Sequence, residues 1–342
     1  MKRPILKSTV LLLGLATGAA QTAGFALIEQ SASGLGNAYA GAAAVSDDAS
    51  YQFFNPSSIS FLPGTQVSGA FHVVSPETRL KNASARVVTL GNIPYTGSGS
   101  GDPGVTGYVP NFYYVRDLKP ELKFGLGINA PFGLATEYDK DWIGRYHAVE
   151  SDMKTININP VLSYKSSEQF SIAGGVSIQY IKALLSSAID SSSICLGLQA
   201  SSTIPAGTCN LFSLNIPGNA SADSFVENEG DGWGYGFNLG LTWKPSTSTT
   251  LGLAYRSEID HELSGKADFR RSPQMNGLLG LNPALNALLI DTKIKADATL
   301  PATASASLTH RASQNLTLLA DVTWTGWSSF DKLVIDFSNP AQ

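Results

Sequence analysis

The sequence predicts an all-β protein, an antiparallel transmembrane β-barrel, and three observations carry this prediction. Only 15% of the 342 residues are charged, against about 25% in an average soluble domain. No stretch beyond residue 23 approaches the roughly 20 consecutive apolar residues of a membrane-spanning helix. Short polar connections alternate with long ones between segments of alternating hydrophobicity, which is typical of bacterial outer-membrane barrels.

The first 23 residues have the layout of a secretory signal peptide. Two lysines and an arginine precede an apolar core over residues 9–16, and cleavage is expected between Ala20 and Ala23. A membrane anchor is the weaker alternative, because the apolar core is too short to span a bilayer. Loss of these three cations takes the formal net charge from −4 to −7. This acidic balance does not favour a nucleic-acid partner.

The connections fall into two length classes along the chain. The long ones cover residues 76–105, 134–149, 185–230 and 266–293. Their alternation with short polar turns predicts periplasmic turns at one rim and extracellular loops at the other. Between the connections the sequence predicts nine strands, at residues 64–75, 106–117, 121–131, 150–165, 169–184, 231–244, 249–265, 294–311 and 315–330.

The segment from Trp233 to Trp243 shows the two-residue period most clearly. Its odd positions are large and apolar, and its even positions are Gly, Asn or Thr. Because side chains alternate between the faces of a strand, one face is apolar and the other is small and polar. In a soluble sandwich the apolar face would form the core. Export and the loop pattern favour a face in contact with lipid, with Tyr164 and Trp324 joining the two tryptophans in interfacial girdles.

Nine strands do not close a single-chain bacterial barrel, which has an even number. An open edge would leave unpaired backbone groups in lipid. The chain also ends in a loop-like stretch at residues 338–342. The sequence is therefore expected to be C-terminally truncated, with residues 63–342 as a partial barrel. Residues 24–62 are rich in Gly, Ala, Ser and Asn without alternation, which fits a plug inside the barrel or a flexible periplasmic tail.

A set of short motifs runs through the chain in a fixed order. The first covers residues 24–41 and is continued by Asp47-Asp48-Ala49 and Asn55-Pro56, although Ser57 follows where Ala is usual. The others are Tyr108-Val109-Pro110-Asn111, Phe132-Gly133-Leu134-Ala135-Thr136-Glu137, Trp233-Gly234-Tyr235-Gly236, Tyr255-Arg256-Ser257-Glu258, Leu300-Pro301 and Trp324-Thr325-Gly326-Trp327-Ser328. Together they cover nearly the whole mature chain, which resembles the FadL family of long-chain fatty acid and hydrocarbon transporters.

The resemblance implies a fourteen-stranded monomeric barrel in a Gram-negative outer membrane, with residues 24–62 as a hatch in its lumen. It implies import of long-chain fatty acids by capture at the extracellular loops, passage to an inner hydrophobic pocket and lateral release at a kink in the third strand. Uptake of neutral aromatic or aliphatic hydrocarbons on the same scaffold is the alternative. A general porin or an adhesin fits less well, because a hatch would block an open lumen. The expected partners are the hydrophobic ligand, outer-membrane lipid and lipopolysaccharide, with no cofactor.

The kink is expected at Ala130, Pro131, Phe132 and Gly133. Pro131 has no N–H for the ladder, and Gly133 tolerates a sharp bend. Without the resemblance, a strand that simply ends there is the simpler interpretation; with it, the four residues are expected to form a lateral gate. The hatch residues singled out beside this gate are Phe25, Leu27, Glu29, Asn55 and Pro56.

The extracellular loops are unusually apolar for exposed segments. In the 266–293 loop an amphipathic helix is expected to begin at Asn282-Pro283. Exposed apolar clusters usually mark binding sites, although two loops that only pack on each other would share this composition. The residues expected to line a ligand-binding groove between the loops are Leu196, Leu198, Leu211, Phe212, Leu278, Leu281, Leu285, Leu288 and Leu289.

Few polar residues are candidates for ligand binding, metal binding or catalysis. A fatty acid carboxylate needs a basic partner, for which Lys182 and Arg145 are the candidates, and a neutral ligand stays open because neither side chain's face is certain. Cys195 and Cys209 are expected to form a disulfide, since the protein is exported. The four histidines are scattered, so no metal site is expected. No Gly-x-Ser-x-Gly elbow or paired base indicates a catalytic residue, and an enzyme is not expected.

Overall fold

The computed structural model describes residues 25–88, 91–282, 285–330 and 332–339. The expected signal peptide and the expected helix start at Pro283 lie outside the described residues. The strands are β1 Gln66–Val74, β2 Arg86–Val87, β3 Ile93–Pro94, β4 Gly107–Lys119, β5 Leu122–Asn129, β6 Gly133–Glu137, β7 Glu150–Lys165, β8 Phe170–Ile189, β9 Ser224–Ser246, β10 Thr249–Arg256, β11 Ile259–Arg270, β12 Thr292–Leu300, β13 Thr303–Ser313, β14 Leu316–Thr325 and β15 Ile335–Phe337. The α-helices are α1 Ala32–Leu35, α2 Ser191–Ala200, α3 Thr208–Leu211 and α4 Pro273–Leu279.

Thirteen of these strands form one antiparallel sheet, and β2 pairs separately with β3. Several segments continue one another across a short interruption, because they pair with the same neighbouring crossing. These continuations are β5 into β6, β10 into β11, β12 into β13, and β14 into β15. Within the described ranges the sheet therefore has nine successive strand positions, each filled by one strand or by two strands in line. This confirms the predicted number and order of the strands.

Some strands extend further towards the long loops than the hydrophobic pattern predicted. β8 and β9 pair without a break from Phe170↔Trp243 to Ile189↔Ser224. The last part of this ladder carries charged residues such as Glu227 and is no longer an apolar alternation. Backbone pairing alone continues the two strands there, so the extracellular loop after β8 is shorter than the sequence suggested.

The two faces of the sheet differ in chemistry. Ile172 and Val176 of β8 and Leu239 of β9 lie on the outer face and are about half exposed, at 48%, 51% and 51%. Ser177 and Asn238 lie on the opposite face of the same strands and are buried. An apolar outer face with a small, polar inner face is the pattern of a membrane barrel, and it is the reverse of a soluble sandwich.

Across the described part of the chain, no helix is long and apolar enough to span a membrane.

Residues 25–62 lie against the inner face of the sheet as a series of short helical turns. Ser31, Asp48 and Asn55 each cap one of these turns with a side-chain oxygen. Asn55 is fully buried, and its Nδ2 also donates to the carbonyls of Ala43 at 2.6 Å and Leu241 at 3.0 Å. This irregular segment is therefore fixed to the sheet chiefly by side-chain hydrogen bonds.

Candidate functional site

The sheet is unpaired over one stretch between β4 and the segment that follows β5. Pairing of β4 with β5 stops at Phe112↔Ile128, and β6 pairs only with β7. The next contact across the gap is an isolated bridge between Gly104 and Thr136. Both contacts fit one register. Residues 105–111 therefore face residues 129–135 without backbone hydrogen bonds between them, seven residues on each side. We call this opening the window; it is roughly 25 Å long at about 3.3 Å per residue.

The four residues expected to form a gate make the interruption that creates the window. Between the β7 pairing of Asn129 and that of Gly133, three residues oppose two on β7. The interruption is a bulge, and the strand resumes after it instead of ending. Phe132 at its centre is buried, and its N–H donates to Thr155 Oγ1 at 3.0 Å while its carbonyl accepts from the same hydroxyl at 2.7 Å.

Residues 25–30 close the window from the inside. Leu27 N donates to Pro131 O at 2.9 Å, and Gly133 N donates to Phe25 O at 3.0 Å. These two bonds are those of an antiparallel strand pair. Residues 25–27 therefore bind the backbone of the kink, which β4 does not pair with. Backbone groups at the kink that would otherwise lack a partner are satisfied in this way.

Two carboxamides add to this closure. Gln30 Nε2 donates to Ala130 O at 2.8 Å, and Asn111 Nδ2 of β4 donates to Glu29 O at 3.4 Å. Glu29 thus contributes its backbone carbonyl to the window. The seal consists of a few hydrogen bonds on both sides of the opening.

Phe25 lies at the centre of an aromatic cluster behind the window, formed with Phe132, Trp327 and Phe330. Its ring centroid is 6.0 Å from that of Phe132 and 5.0 Å from those of Trp327 and Phe330, in edge-on geometry. Trp327 and Phe330 belong to the stretch between β14 and β15. The sequence reasoning singled out Phe25 and Phe132 but missed the other two, because no local pattern shows that this stretch turns inward.

Two cavities flank the aromatic cluster. The one towards the long loops, which we call the outer cavity, has a volume of about 260 Å³. Most of its walls are apolar side chains on the inner face of the sheet, among them Met153, Ile181 and Leu263. Phe25 and Phe330 of the aromatic cluster and Leu134 of the window edge also line it.

The inner cavity lies towards the short turns and is larger, at about 860 Å³. Aromatic side chains such as Phe54 and Trp327 form much of its wall. Among the described lining residues it has one cation, Arg256, and one carboxylate, Asp321. Arg256 was quoted in the sequence only as part of a motif, although its alternation with the outward-facing Tyr255 could have placed it inside.

Buried carboxamides lie side by side on the inner face of β5, β7, β8 and β9, beside the inner cavity. Asn129, Asn157, Asn159, Gln179 and Asn238 are at most 3% exposed. Asn159 and Asn238 exchange hydrogen bonds of 3.1 and 3.2 Å. The side-chain oxygens of Asn157 and Gln179 have no hydrogen-bond partner within the described residues. This amide layer is polar and partly unsatisfied, so it offers no favourable surface to a hydrocarbon chain.

The two longest loops share one hydrophobic core, which we call the loop core. The disulfide between Cys195 of α2 and Cys209 of α3, with a Cα–Cα distance of 5.8 Å, lies within it. Leu211 and Leu281 remain outside and are 77% and 57% exposed. The other residues expected to line a groove all belong to the loop core: Leu196, Leu198, Phe212, Leu278, Leu285, Leu288 and Leu289.

The α-helix that the structure describes in the 266–293 loop lies ahead of the segment where a helix was expected. The α-helix is α4, which begins at Pro273 after the cap Ser272, whose Oγ accepts from Met275 N at 3.1 Å. Leu285–Ala287 forms only a 3₁₀ turn. Ser272 caps the helix and Pro273 fixes its first turn. This pair of residues starts the helix ten positions before Asn282-Pro283, where the sequence analysis expected the start.

Arg145 lies in the loops and does not line either cavity. It is fully buried, and its Nε donates to Asp223 Oδ2 at 2.6 Å. Its other nitrogens donate to Thr96 O at 2.6 Å and to Tyr146 Oη and Gly218 O, both at 2.8 Å. Burial raises the pKa of the Asp223 carboxyl, although the hydrogen bonds from Arg145 and Tyr146 oppose that shift. Arg145 thus joins three loops in what we call the loop clasp.

Lys182, the other expected anchor, lies on the outer face of β8. Its Nζ is 2.7 Å from Glu229 Oε1 on β9, and its side chain is 49% exposed. Its neighbours Ile181 and Ala183 point the other way and line the outer cavity. The placement of Lys182 is therefore a surface ion pair, and it does not face the lumen.

Taken with the lipid-facing sheet and the filled lumen, an apolar cavity beside an interrupted wall defines an outer-membrane channel for hydrophobic compounds. The chain belongs to the family described as outer membrane protein transport protein (OMPP1/FadL/TodX), whose model matches residues 13–341. The resemblance to the FadL family is thereby confirmed. The protein is a transmembrane β-barrel of the outer membrane and a transporter of hydrophobic compounds, because the members of this family are transport channels and not enzymes.

Relatives and solved structures agree with this assignment. A long-chain fatty acid transport protein of Escherichia coli O6:H1 is 28% identical over 320 residues, which is 92% of this chain and 68% of the relative. A putative outer membrane protein of Neisseria meningitidis serogroup B is 31% identical over 342 residues, 97% and 70% of the two chains. A Pseudomonas aeruginosa FadL homologue superposes with a TM-score of 0.79 at 25% identity, covering 93% and 73%. The Ralstonia pickettii toluene transporter TbuX shares the fold, with a TM-score of 0.60 at 18% identity, covering 87% and 72%.

Proposed function

We propose that this protein imports long-chain fatty acids and releases them sideways into the outer membrane through the window. The observation that carries this proposal is the position of the outer cavity directly against the window, where Leu134 belongs to both. In the same proposal, residues 24–62 act as the hatch and residues 63–342 as the wall.

Capture begins at the loops. The loop core is covered by its own packing, so the exposed apolar residues Leu211 and Leu281 at its surface are the first contact for a ligand. From there a hydrocarbon chain moves to the outer cavity, where each buried CH₂ contributes about 0.8 kcal/mol. Passage from loop to cavity to bilayer is downhill by partitioning and needs no nucleotide or cofactor.

The direction of release follows from what surrounds the outer cavity. A straight path to the periplasm runs along the amide layer, in which two buried oxygens lack partners within the described residues, and an apolar chain placed there would satisfy neither of them. The window lies beside the cavity and opens towards the apolar outer face of the sheet. Sideways exit therefore keeps the chain in apolar surroundings throughout.

Release requires residues 25–30 to leave the window. We predict that Ala26→Cys combined with Phe132→Cys locks them in place, because these residues form an isolated antiparallel bridge. The flanking bonds make this a non-hydrogen-bonded pair, with Cα atoms about 4.5 Å apart, within the range of disulfides. The oxidised variant should bind labelled oleate but fail to deliver it to cells.

The matched control is the same double variant after reduction, which lacks the same phenylalanine ring but has a free hatch. Uptake should return on reduction. Equal uptake by the oxidised and reduced forms, with the disulfide verified by mass spectrometry, would show that the hatch does not gate release.

Neutral aromatic hydrocarbons are the second candidate ligands. The outer cavity favours them, since it is small and no basic side chain is among its described lining residues. The fatty acid assignment is preferred because the relative from Escherichia coli is a long-chain fatty acid transport protein and because the larger cavity holds a cation.

Uptake of labelled oleate and labelled toluene should be compared in a strain that lacks its own fatty acid transporter. We expect expression of this protein to raise oleate uptake well above the vector background. The hatch-locked oxidised variant is the matched negative control. Uptake of toluene alone would assign the protein to hydrocarbon import and remove the fatty acid proposal.

A further inference from the structure

We infer that Arg256 binds the carboxylate of the ligand, so that the inner cavity holds an anionic amphiphile by its head group. This inference rests on the proposed fatty acid function and names a residue for the recognition step. Its basis is the unusual position of a guanidinium inside the lumen of a protein that carries hydrophobic compounds.

The backbone directs Arg256 inward. It is the last residue of β10, where it pairs with Asn238 of β9 and Thr303 of β13. Its neighbour Tyr255 is on the outer face, so the alternation of the strand places Arg256 in the lumen. Its Nη2 donates to Phe53 O at 3.1 Å, and its guanidinium carbon lies 4.8 Å from the centre of the Phe53 ring.

The guanidinium has donors to spare. Besides the bond to Phe53 O, it makes one bond of 3.3 Å to Ser177 Oγ, whereas a guanidinium has five N–H groups. Among the described residues Arg256 takes part in no ion pair. Asp321, the carboxylate in the same cavity lining, accepts from Gly41 N at 3.1 Å.

Arg145 shows what a purely structural arginine looks like in the same protein. It has a buried carboxylate, Asp223, and further acceptors for its other nitrogens. No carboxylate of the described ranges forms an ion pair with Arg256. A cation away from water is costly until an anion joins it, and a carboxylate matches the guanidinium in a bidentate geometry.

The rest of the inner cavity suits the tail of the same ligand. Leu27, Pro131 and Phe132, which belong to the hatch strand and the kink, line it together with Arg256. A head group at Arg256 therefore leaves a hydrocarbon chain lying against the inside of the window. Binding at this point would compete with residues 25–27 for the same apolar surface.

The test compares binding of oleate and of oleyl alcohol, which has the same chain without the carboxylate, to the purified protein in detergent. Arg256→Gln should weaken oleate binding by about 10-fold or more, since hydrogen bonds to charged groups contribute most to such a contact. Oleyl alcohol should bind the variant within about two-fold of the wild-type protein. Arg256→Lys, which keeps the charge but not the fork, should recover part of the oleate affinity.

The outcomes separate this inference from the proposed function. If wild-type protein binds oleate and Arg256→Gln binds it equally well, Arg256 is not the anchor while fatty acid import stands. Equal losses for oleate and oleyl alcohol would assign Arg256 to holding Phe53 and the hatch, and would likewise overturn the inference. Wild-type protein that binds toluene but not oleate would remove both.

Discussion

Replacing Pro131→Thr, Phe132→Val and Gly133→Ser is expected to abolish oleate uptake while the protein still reaches the cell surface. The substitutions restore an N–H at position 131 and a regular alternation of apolar and polar residues, so this segment can continue β5 and pair with β4. A continuous ladder would close the window and displace residues 25–27 from their present partners. Uptake of labelled oleate should fall to the background of cells without the protein.

Surface labelling and heat-modified mobility of the barrel on gels should be unchanged in this variant. Ile172→Val with Val176→Ile, on the outer face of β8 and away from the window, is the matched control and should leave uptake within about two-fold. Full uptake by a correctly inserted kink variant would show that ligand leaves by another route.

Arg145→Ala is expected to loosen the extracellular loops while the sheet stays folded. Removing one partner of a buried ion pair typically costs about 3–5 kcal/mol, because the remaining charge, here Asp223, is left buried and unpaired. Carbonyls of Thr96 and Gly218 lose their donor as well. Trypsin should cut the loops of the variant much faster than those of the wild-type protein, and oleate capture should weaken.

Lys182→Ala provides the comparison, since it removes an ion pair with Glu229 that is open to solvent and such pairs contribute little. Its loop cleavage and capture should match the wild-type protein. Identical cleavage of the Arg145 and Lys182 variants would mean that the loop core alone holds the loops, without the clasp.

The crossings of this protein could be predicted from its sequence because one face of each strand meets lipid. Contact of one face with lipid produces the two-residue period of segments such as 233–243. The alternation of long loops and short turns marks where each strand begins and ends. The kink was expected at the right place because of its proline and glycine, whereas the strand that resumes as β6 lies largely where a long loop was predicted, at residues 134–149. Both features depend on residues close together in the chain.

The same alternation could have corrected the choice of anchor. Lys182 lies two residues after Tyr180 and shares its face, whereas Arg256 alternates with the outward-facing Tyr255 and falls inside. The sequence reasoning left the face of Lys182 and Arg145 open and did not consider Arg256 as a candidate. Strand period, read strictly, favours Arg256.

The loops could not be derived in this way. The partners of Arg145 include residue 96 from one loop and residues 218 and 223 from another, and a single sequence does not show that these loops meet. Trp327 and Phe330 pose the same difficulty, because their inward course depends on Phe25 far away in the chain. Tertiary packing decides both arrangements, and no local period records it.

The use of the hatch's own backbone to seal the wall has a consequence for the cell's permeability barrier. If residues 25–30 left the window with no ligand present, backbone groups at Pro131 and Gly133 would lose their partners beside lipid, at a cost of several kcal/mol for each group. The empty channel therefore has a strong reason to stay shut. In the proposed function, a compound without affinity for the interior therefore gains no passage, and the window opens only when binding of a ligand offsets this cost.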